Sequence, residues 1–340
     1  MIPRRAAGRS GLQLSAVSLG GMTFGRGGPF GSIGTDASDV TRIVALALDA
    51  GIDSFDTANV YGESEELLGR LLGRHRDDVV IATKVRFPIA SAAAGRMPPA
   101  STYGLSRSAV IRAVEGSLRR LDTDRIDVLW LHMQDRTVPI QETLSATEAL
   151  IQQGKVRYLG LSNFMGYRVS EAVLRAELHR LEAPVALQIP WSLVDRDAEQ
   201  ELVPAAGHFG LGVVVYSPLG RGFLSGKYER GHEPAAGSRL AQWPDEFGRY
   251  DTDRNWSVLA DVRQIAADHA APVSAVALAW LLAKRTVTSV IIGARTEAQL
   301  QDNLAAARLR LTRDEIERLD KVSEPVRSYP SAFIGRFEQW

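Results

Sequence analysis

The stretch from Gly51 to Lys84, GIDSFDTANVYGESEELLGRLLGRHRDDVVIATK, contains one strand–helix–strand unit. Residues 51–56 form a short apolar run that predicts a buried strand, and a helical pattern begins near Glu63. Residues 78–84 predict the next strand. Two strands joined through a helix run parallel, and a parallel sheet needs cover on both faces. The stretch therefore predicts an α/β fold, which the rest of the chain should repeat.

The same unit recurs along the chain as strand candidates that alternate with helical patterns. The predicted strands are residues 16–20, 51–56, 78–84, 126–132, 156–162, 184–189, 211–217 and 288–293, and the main helical patterns are residues 37–50, 106–121, 140–154, 197–210, 255–270 and 273–285. Eight such units predict a single (β/α)8 TIM barrel that occupies residues 1–340 as one domain.

A doubly wound sheet is the alternative to a barrel. It would show a GxGxxG turn after the first strand, opening directly into a helix. The segment 19–31, LGGMTFGRGGPFG, is rich in glycine, but its spacing differs and no helix follows at once. The segment 221–254 has few apolar runs, and we expect it to form a large loop on the carboxyl face of the barrel.

Composition limits the classes of function. The 340 residues carry a formal net charge of zero, so nothing favours nucleic acid or an anionic membrane as a partner. No apolar run reaches the roughly 20 residues of a membrane-spanning helix, and the N-terminus lacks the apolar core of a signal peptide. The chain has no cysteine, and its six histidines show no metal-ligand spacing. We therefore expect a cytoplasmic protein without a metal site.

Polar side chains end several predicted strands, where the active sites of (β/α)8 barrels lie. They are Asp56, Lys84, His132, Ser162 with Asn163, Gln188 and Tyr216, together with Tyr61 in the loop after the second strand. Each residue alone has a simpler explanation as a helix cap, a solvated strand end or a structural hydrogen-bonding group. Their shared position at one end of successive strands predicts a common site.

Asp56, Tyr61, Lys84 and His132 are the groups needed to protonate an oxygen while hydride arrives at carbon. A tyrosine has a pKa of about 10, and a nearby ammonium group stabilises its phenolate and so lowers that pKa. A carboxylate would keep the lysine charged, and a histidine could hydrogen bond to a carbonyl oxygen or relay a proton. The chain has no G-x-S-x-G elbow and no obvious second carboxylate, so hydrolase and glycosidase sites are unsupported.

From residue 11 to about residue 320, the sequence strongly resembles the aldo-keto reductase superfamily. FDTANVYG, IATK and LWLHMQD are similar to the segments that carry the family's catalytic aspartate and tyrosine, lysine and histidine. The resemblance thus implies catalytic roles for Asp56, Tyr61, Lys84 and His132. It implies reduction of an aldehyde or ketone to the alcohol, with NADPH as the cofactor in preference to NADH and Tyr61 as the general acid.

The resemblance also implies cofactor contacts. GLSNF and LQIPWSL resemble the segments that hold the nicotinamide carboxamide, VVYSPLGRGFLSGKY the segment that stacks on the ring and follows the pyrophosphate, and IIGARTEAQLQDN the adenosine-end motif. The implied contacts are Ser162, Asn163, Gln188, Tyr216, Ser217, Leu219, Gly220, Gly293, Arg295, Gln299 and Asn303. The last motif has its own physical logic, because an arginine beside a helix N-terminus favours phosphate.

Two alternatives to carbonyl reduction remain open. Some similar barrels, the β subunits of potassium channels, bind the cofactor and act mainly through partners, and an enzyme of this kind could also oxidise an alcohol or sugar. The expected partner is a small carbonyl compound, and the sequence indicates no oligomeric state.

The expected substrate pocket has an aromatic lining. Its predicted residues are Met22, Phe24, Val60, Phe87, Trp191 as either a pocket or a core aromatic, and Trp243 or Phe247 from the 221–254 loop. Such a lining favours a neutral or aromatic carbonyl compound, whereas Arg86 and Arg221 leave room for an acidic or phosphorylated one.

Overall fold

The computed structural model of the protein describes residues 2–26, 34–89, 99–335 and 337. The strands are β1 (Arg4–Ala6), β2 (Gln13–Ser15), β3 (Val17–Gly20), β4 (Ser54–Asp56), β5 (Val80–Val85), β6 (Ile126–Leu131), β7 (Val156–Ser162), β8 (Ala186–Pro190), β9 (Gly212–Tyr216) and β10 (Val287–Ile292). The helices are α1 (Ala37–Asp49), α2 (Ser64–Leu72), α3 (Arg107–Leu121), α4 (Ile140–Gln152), α5 (Gly166–His179), α6 (Leu202–Phe209), α7 (Pro244–Tyr250), α8 (Asp253–Asp268), α9 (Val273–Leu282), α10 (Glu297–Leu304), α11 (Arg313–Val322) and α12 (Ser331–Ile334).

The strands β3 to β10 form a closed parallel barrel, in which β10 pairs with both β9 and β3. Each predicted strand overlaps one of these eight barrel strands, and the prediction of a (β/α)8 barrel is confirmed. Strands of such a barrel are covered on both sides, which explains their continuous apolar character. In β10, for example, every residue from Val287 to Ile292 is buried.

An N-terminal hairpin that the sequence patterns did not predict closes one end of the barrel. Strands β1 and β2 pair antiparallel, and each has only three residues, which is too short to show a periodic pattern. Ala7, Leu12 and Leu14 of the hairpin form an apolar cluster with Val128 and Trp130 of β6. The hairpin therefore shields the N-terminal end of the barrel interior and leaves the carboxyl end for a ligand.

Several helices also differ from the sequence predictions, and α11 and α12 were not predicted. Helix α5 was not predicted, and the predicted helix at 197–210 is a short 3₁₀ turn, Asp197–Glu199, followed by α6. The 221–254 loop contains helix α7.

Helix α9 is apolar on every side because it is buried from Ser274 to Leu281. Among the described residues no single helix has the length and apolar character to cross a membrane; α8 and α9 meet that criterion only as a pair, bent by 99°.

The barrel interior leaves no room for a side chain at Gly160 on β7. Gly160 pairs with Trp130 of β6, and a Cβ at position 160 would lie 2.2 Å from the indole ring. We expect Gly160→Ala to lower the free energy of unfolding, measured in urea, by about 1–3 kcal/mol, because the buried indole would have to move.

The matched control is Gly207→Ala in helix α6, where a Cβ would meet nothing within 4 Å. That variant should gain about 0.5–1 kcal/mol, because alanine loses less backbone entropy than glycine in a helix. Equal stabilities of the two variants would contradict the tight packing of Trp130 against β7.

Candidate active site

The carboxyl ends of the barrel strands surround a cleft of about 530 Å³. The predicted site residues in its lining are Asp56, Tyr61, Lys84, His132, Ser162, Asn163, Gln188, Tyr216, Ser217, Leu219, Gly293, Arg295, Gln299 and Asn303. Of the predicted set, Gly220 alone is not part of the lining of this described cleft. It is buried with a φ of +52°, where a Cβ would clash with Val194 at 2.6 Å, so it turns the loop behind the cleft.

Backbone pairing between β4 and β5 sets the positions of the central charged residues. Asp56 pairs with Ala82, so Lys84 lies one step further along the same face of the neighbouring strand. The chain after β4 continues to pair with β5, because Thr57 N donates to Ala82 O at 2.8 Å and Asn59 N to Lys84 O at 3.1 Å. This pairing carries the next turn, with Tyr61, back over Lys84.

Lys84 is the centre of a buried hydrogen-bonded chain. Its side chain is 2% exposed, and its Nζ forms an ion pair with Asp56 and donates to Thr57 O at 2.9 Å. Nζ also hydrogen bonds to Tyr61 and lies 5.0 Å from the centroid of that ring. The second Asp56 oxygen accepts from Gln188 Nε2 at 2.7 Å. Gln188 thus positions the carboxylate, a contact that the sequence did not predict.

Burial and the neighbouring charges have opposite effects on the pKa values of Lys84 and Tyr61. Burial alone would lower the pKa of Lys84, but Asp56 and Tyr61 more than offset it, so that pKa is raised and the ammonium keeps its charge. Burial raises the pKa of Tyr61 above its usual value, and the Lys84 charge opposes only part of that rise. The sequence reasoning had the lysine lowering the tyrosine pKa; its direction of action is right, but burial is the larger effect. Tyr61 is therefore protonated at neutral pH.

His132 faces Tyr61 in the cleft wall as a neutral imidazole. Its ring stands edge-on to the Tyr61 ring, with centroids 5.8 Å apart, and edge-on to the Phe87 ring at 5.0 Å. Burial lowers the pKa of His132 to about 3, and the positive charges of Lys84 and Arg86 contribute to the shift. A neutral imidazole can still donate one N–H hydrogen bond.

We expect the ring of His132 to stay neutral throughout the range in which an ordinary histidine titrates. Its depressed pKa stabilises the fold fully above the unfolded value of about 6.5, and that contribution is lost as the pH falls toward 3. The check is the ¹⁵N chemical shift of the His132 ring between mildly acidic and mildly basic pH. Titration of His132 near the ordinary histidine pKa of about 6.5 would contradict this assignment.

Asn163 lies beside the four predicted catalytic residues and has a strained backbone conformation. Its φ of +55° lies in the left-handed region, which asparagine tolerates better than most residues. Its Nδ2 donates to His132 O at 2.8 Å and to Ser162 Oγ at 3.1 Å, and its Oδ1 accepts from the Tyr216 hydroxyl at 2.7 Å. Asn163, Ser162 and Tyr216 thus form a pre-organised polar wall where the sequence predicts the nicotinamide.

The adenosine-end residues meet at the start of helix α10. Thr296 caps this helix by accepting from Gln299 N, and the Gln299 side chain accepts from Arg295 N at 2.9 Å. Asn303 Nδ2 donates to Gly293 O at 3.2 Å. The guanidinium of Arg295 reaches across to Gly237 O at 3.0 Å, so this end of the cleft is bridged to the 221–254 loop.

Two basic residues of the lining, Lys227 and Arg239, are absent from the sequence predictions. Burial and the nearby Arg221 lower the pKa of Arg239 to about 10, and burial, Arg295 and Arg239 lower that of Lys227. Arg239 Nε is buried and lacks a hydrogen-bond partner within the part of the chain that the structure describes.

The two positive charges, with the unpartnered Nε of Arg239, fit the phosphates of a dinucleotide. A count of basic residues between Arg221 and Arg239 could have indicated them; periodicity could not, because the loop has no repeating pattern.

The predicted aromatic pocket is only partly correct. Met22 lines the cleft, whereas Phe24, Val60 and Trp191 are buried outside its described lining. Trp191 is a core residue, whose ring packs edge-on against Trp280 at 6.1 Å and whose Nε1 donates to Glu199 at 2.8 Å.

The other three predicted aromatics lie around the cleft without being part of its described lining. Phe87 contacts His132, Trp243 stacks beneath the Arg239 guanidinium at 4.7 Å, and Phe247 packs against Tyr228 with centroids 6.1 Å apart.

Comparison with known proteins identifies the family of the chain. A sequence profile of the Aldo/keto reductase family matches residues 16–324. The chain is 38% identical over 326 residues to an uncharacterized oxidoreductase of Bacillus subtilis, covering 93% of this chain and 94% of that protein.

Two further relatives are similar over nearly their whole lengths. The identity is 36% over 333 residues to a putative voltage-gated potassium channel subunit beta of Schizosaccharomyces pombe, with 94% and 93% of the two chains covered. It is 34% over 347 residues to an aldo-keto reductase of Alternaria alternata, with 96% and 92% covered. The chain belongs to the aldo/keto reductase family, and its relatives support an oxidoreductase that acts on carbonyl groups in general.

Proposed function

We propose that the protein reduces an aldehyde or ketone to the alcohol with NADPH. The observation that carries this proposal is the buried chain Asp56–Lys84–Tyr61, which ends in the same cleft as His132. This chain can hold a protonated tyrosine and stabilise its phenolate, and both properties are needed to protonate a reduced carbonyl oxygen.

Side chains of the protein would transfer the proton and bind the carbonyl oxygen. When bound, the nicotinamide supplies the hydride, which adds to the carbonyl carbon. The Tyr61 hydroxyl gives its proton to the oxygen, and the Lys84 ammonium stabilises the phenolate until solvent restores the proton. An N–H of the neutral His132 ring donates a hydrogen bond to the same oxygen and orients it.

The cleft has suitable donors for each part of the cofactor. Ser162 and Asn163 would hold the carboxamide and Tyr216 the nicotinamide ring, as the resemblance implies. Lys227 and Arg239 would neutralise the pyrophosphate, and Arg295 beside the capped N-terminus of α10 would bind the 2′-phosphate that distinguishes NADPH from NADH.

The test is an absorbance assay of NADPH consumption with a panel of neutral aldehydes, ketones and sugars, repeated with NADH. For Arg295→Gln we expect about a tenfold rise in KM for NADPH, from loss of a charge-assisted contact, with the NADH reaction unchanged. Equal losses with both cofactors would contradict the role of Arg295 at the 2′-phosphate. Failure of every substrate with either cofactor would contradict the reductase proposal.

A second candidate function is supported by the relatives that are named as potassium channel β subunits. In this alternative the barrel binds the cofactor and acts through a partner. The same assay separates the two functions: tight NADPH binding by fluorescence, without consumption on any substrate, favours the regulatory barrel. NADP+ reduction by alcohols or sugars would instead indicate an enzyme that works in the oxidative direction.

A further inference from the structure

An arginine that the proposed reaction does not use lies behind Phe87 near the His132 end of the cleft, outside its described lining. Arg86 follows Lys84 by two positions and is half-buried. Its guanidinium carbon lies 4.9 Å from the centroid of the Phe87 ring, and that ring stands edge-on to His132 at 5.0 Å. The guanidinium is therefore one aromatic ring away from the imidazole that would orient the carbonyl oxygen.

Among the described residues, no ion pair or hydrogen bond of the Arg86 side chain accompanies its contact with the Phe87 ring. Its Nε is buried and has no hydrogen-bond partner among the residues that the structure describes. The positive charge of Arg86 contributes to the lowered pKa of Asp135. The oxygens of that carboxylate already accept hydrogen bonds from Leu105 N at 3.0 Å, Thr137 N at 3.0 Å and the Thr137 hydroxyl at 2.6 Å. A buried donor of a charged group is costly without a partner, so this position favours an anionic ligand.

The backbone at Arg86 is also held in an unusual conformation. Its φ of +149° lies in a region that residues with a Cβ rarely adopt. The strained turn is fixed on both sides, because Gly104 N donates to Arg86 O at 2.7 Å and Asn59 Nδ2 to Phe87 O at 3.3 Å. Strain maintained by surrounding contacts is a feature of binding sites, since it fixes the direction of a side chain.

We propose that Arg86 forms an anion subsite beside His132, and that the preferred substrates are carbonyl compounds that also carry a carboxylate. This inference rests on the proposed carbonyl reduction and names its substrate class. A planar guanidinium can donate two parallel hydrogen bonds to a carboxylate. In this proposal the Arg86 guanidinium would do so near the expected position of the reacting carbonyl group. The basic residues Lys227 and Arg239 belong to the other arm of the cleft, where they would meet the cofactor phosphates.

The experiment compares 3- and 4-carboxybenzaldehyde with the corresponding carboxamides, which have the same shape and no charge. For the wild-type protein we expect kcat/KM to favour the acid over the amide by about tenfold, mainly through KM, since a charge-assisted hydrogen bond is worth about 1.5–3 kcal/mol. For Arg86→Gln the ratio should fall to about one, and Arg86→Lys should keep part of it. A ratio is used because any general loss of activity cancels.

Arg112→Gln is the matched control, because it removes the same charge from an exposed position on helix α3. It should keep the wild-type ratio. A wild-type ratio of one, or a preference that survives in Arg86→Gln but disappears in Arg221→Gln, would overturn the assignment to Arg86.

Binding of unreactive benzoate and benzamide to the NADPH complex provides a readout that does not depend on turnover. Weaker benzoate binding by Arg86→Gln, with benzamide binding unchanged, supports the anion subsite even if none of the four aldehydes is reduced. If the panel of neutral aldehydes, ketones and sugars also fails with both cofactors, the proposed reductase function is contradicted while the subsite stands. Equal benzoate affinity of the wild-type protein and Arg86→Gln overturns the subsite.

Discussion

Replacement of Tyr61 by phenylalanine is expected to lower kcat for aldehyde reduction by about 10²–10⁴-fold while NADPH affinity is unchanged. The phenol is one of the hydrogen-bond partners of Lys84, and its raised pKa keeps it protonated at neutral pH. Phenylalanine keeps the ring and its contact with His132 but removes the only proton that this position can deliver. Single-turnover rates with bound NADPH, together with NADPH fluorescence titration, separate the two quantities.

The matched control for this variant is Tyr158→Phe, which makes the same chemical change at the opposite end of the barrel. Tyr158 lies on β7 and packs on the apolar cluster beneath the hairpin. It should leave kcat unchanged. A Tyr61→Phe variant with wild-type turnover would show that another group supplies the proton.

Replacement of Lys84 by methionine is expected to lower the free energy of unfolding by about 3–5 kcal/mol at neutral pH. Methionine fills most of the volume of the lysine side chain, so the loss reports the charge rather than a cavity. Asp56 is 6% exposed, and without Lys84 its carboxylate would be a buried charge with no cation to balance it among the partners that the structure describes, which include the Gln188 amide. Urea unfolding of the variant and the wild-type protein measures the difference.

The instability of Lys84→Met should depend on pH in a defined direction. Burial raises the pKa of Asp56, and the lysine that opposes this rise is absent from the variant. A raised folded-state pKa means that stability is fully present below the unfolded value of about 3.9 and is lost as the pH rises through the folded value. The deficit should therefore shrink in acid, and Asp56→Asn with Lys84→Met should recover most of it. A deficit that is constant with pH would contradict this origin.

The sequence patterns were sufficient to predict the barrel, and to predict most of the residues that line the cleft, because parallel strands end at one face. The positions of Asp56, Lys84 and His132 follow from strand ends alone, and Tyr61 follows from the loop between β4 and α2. The fold alone therefore predicts that these four residues share one cleft, before any side-chain position is known.

The features that the sequence reasoning missed depend on packing rather than on pattern. The sequence does not distinguish a Trp191 that lines a pocket from one that packs in the core. Its contact with Trp280 in the folded protein shows that it is a core residue. Arg239 lies in a loop without periodicity, so its approach to the cleft is a property of the folded segment. The direction of the Tyr61 pKa shift depends on whether burial or the lysine charge has the larger effect. Residue spacing in the sequence gives no measure of either effect.

The pairing of β10 with β3 has a consequence for synthesis on the ribosome. Ser18 and Ser289 share a 2.6 Å hydrogen bond across this seam, although they are 271 positions apart in the chain. Until β10 leaves the exit tunnel, the nascent chain presents two unpaired strand edges, β3 and β9, to its surroundings. The growing polypeptide is therefore open to association with other chains between the synthesis of β9 and the emergence of β10, the last barrel strand to be made.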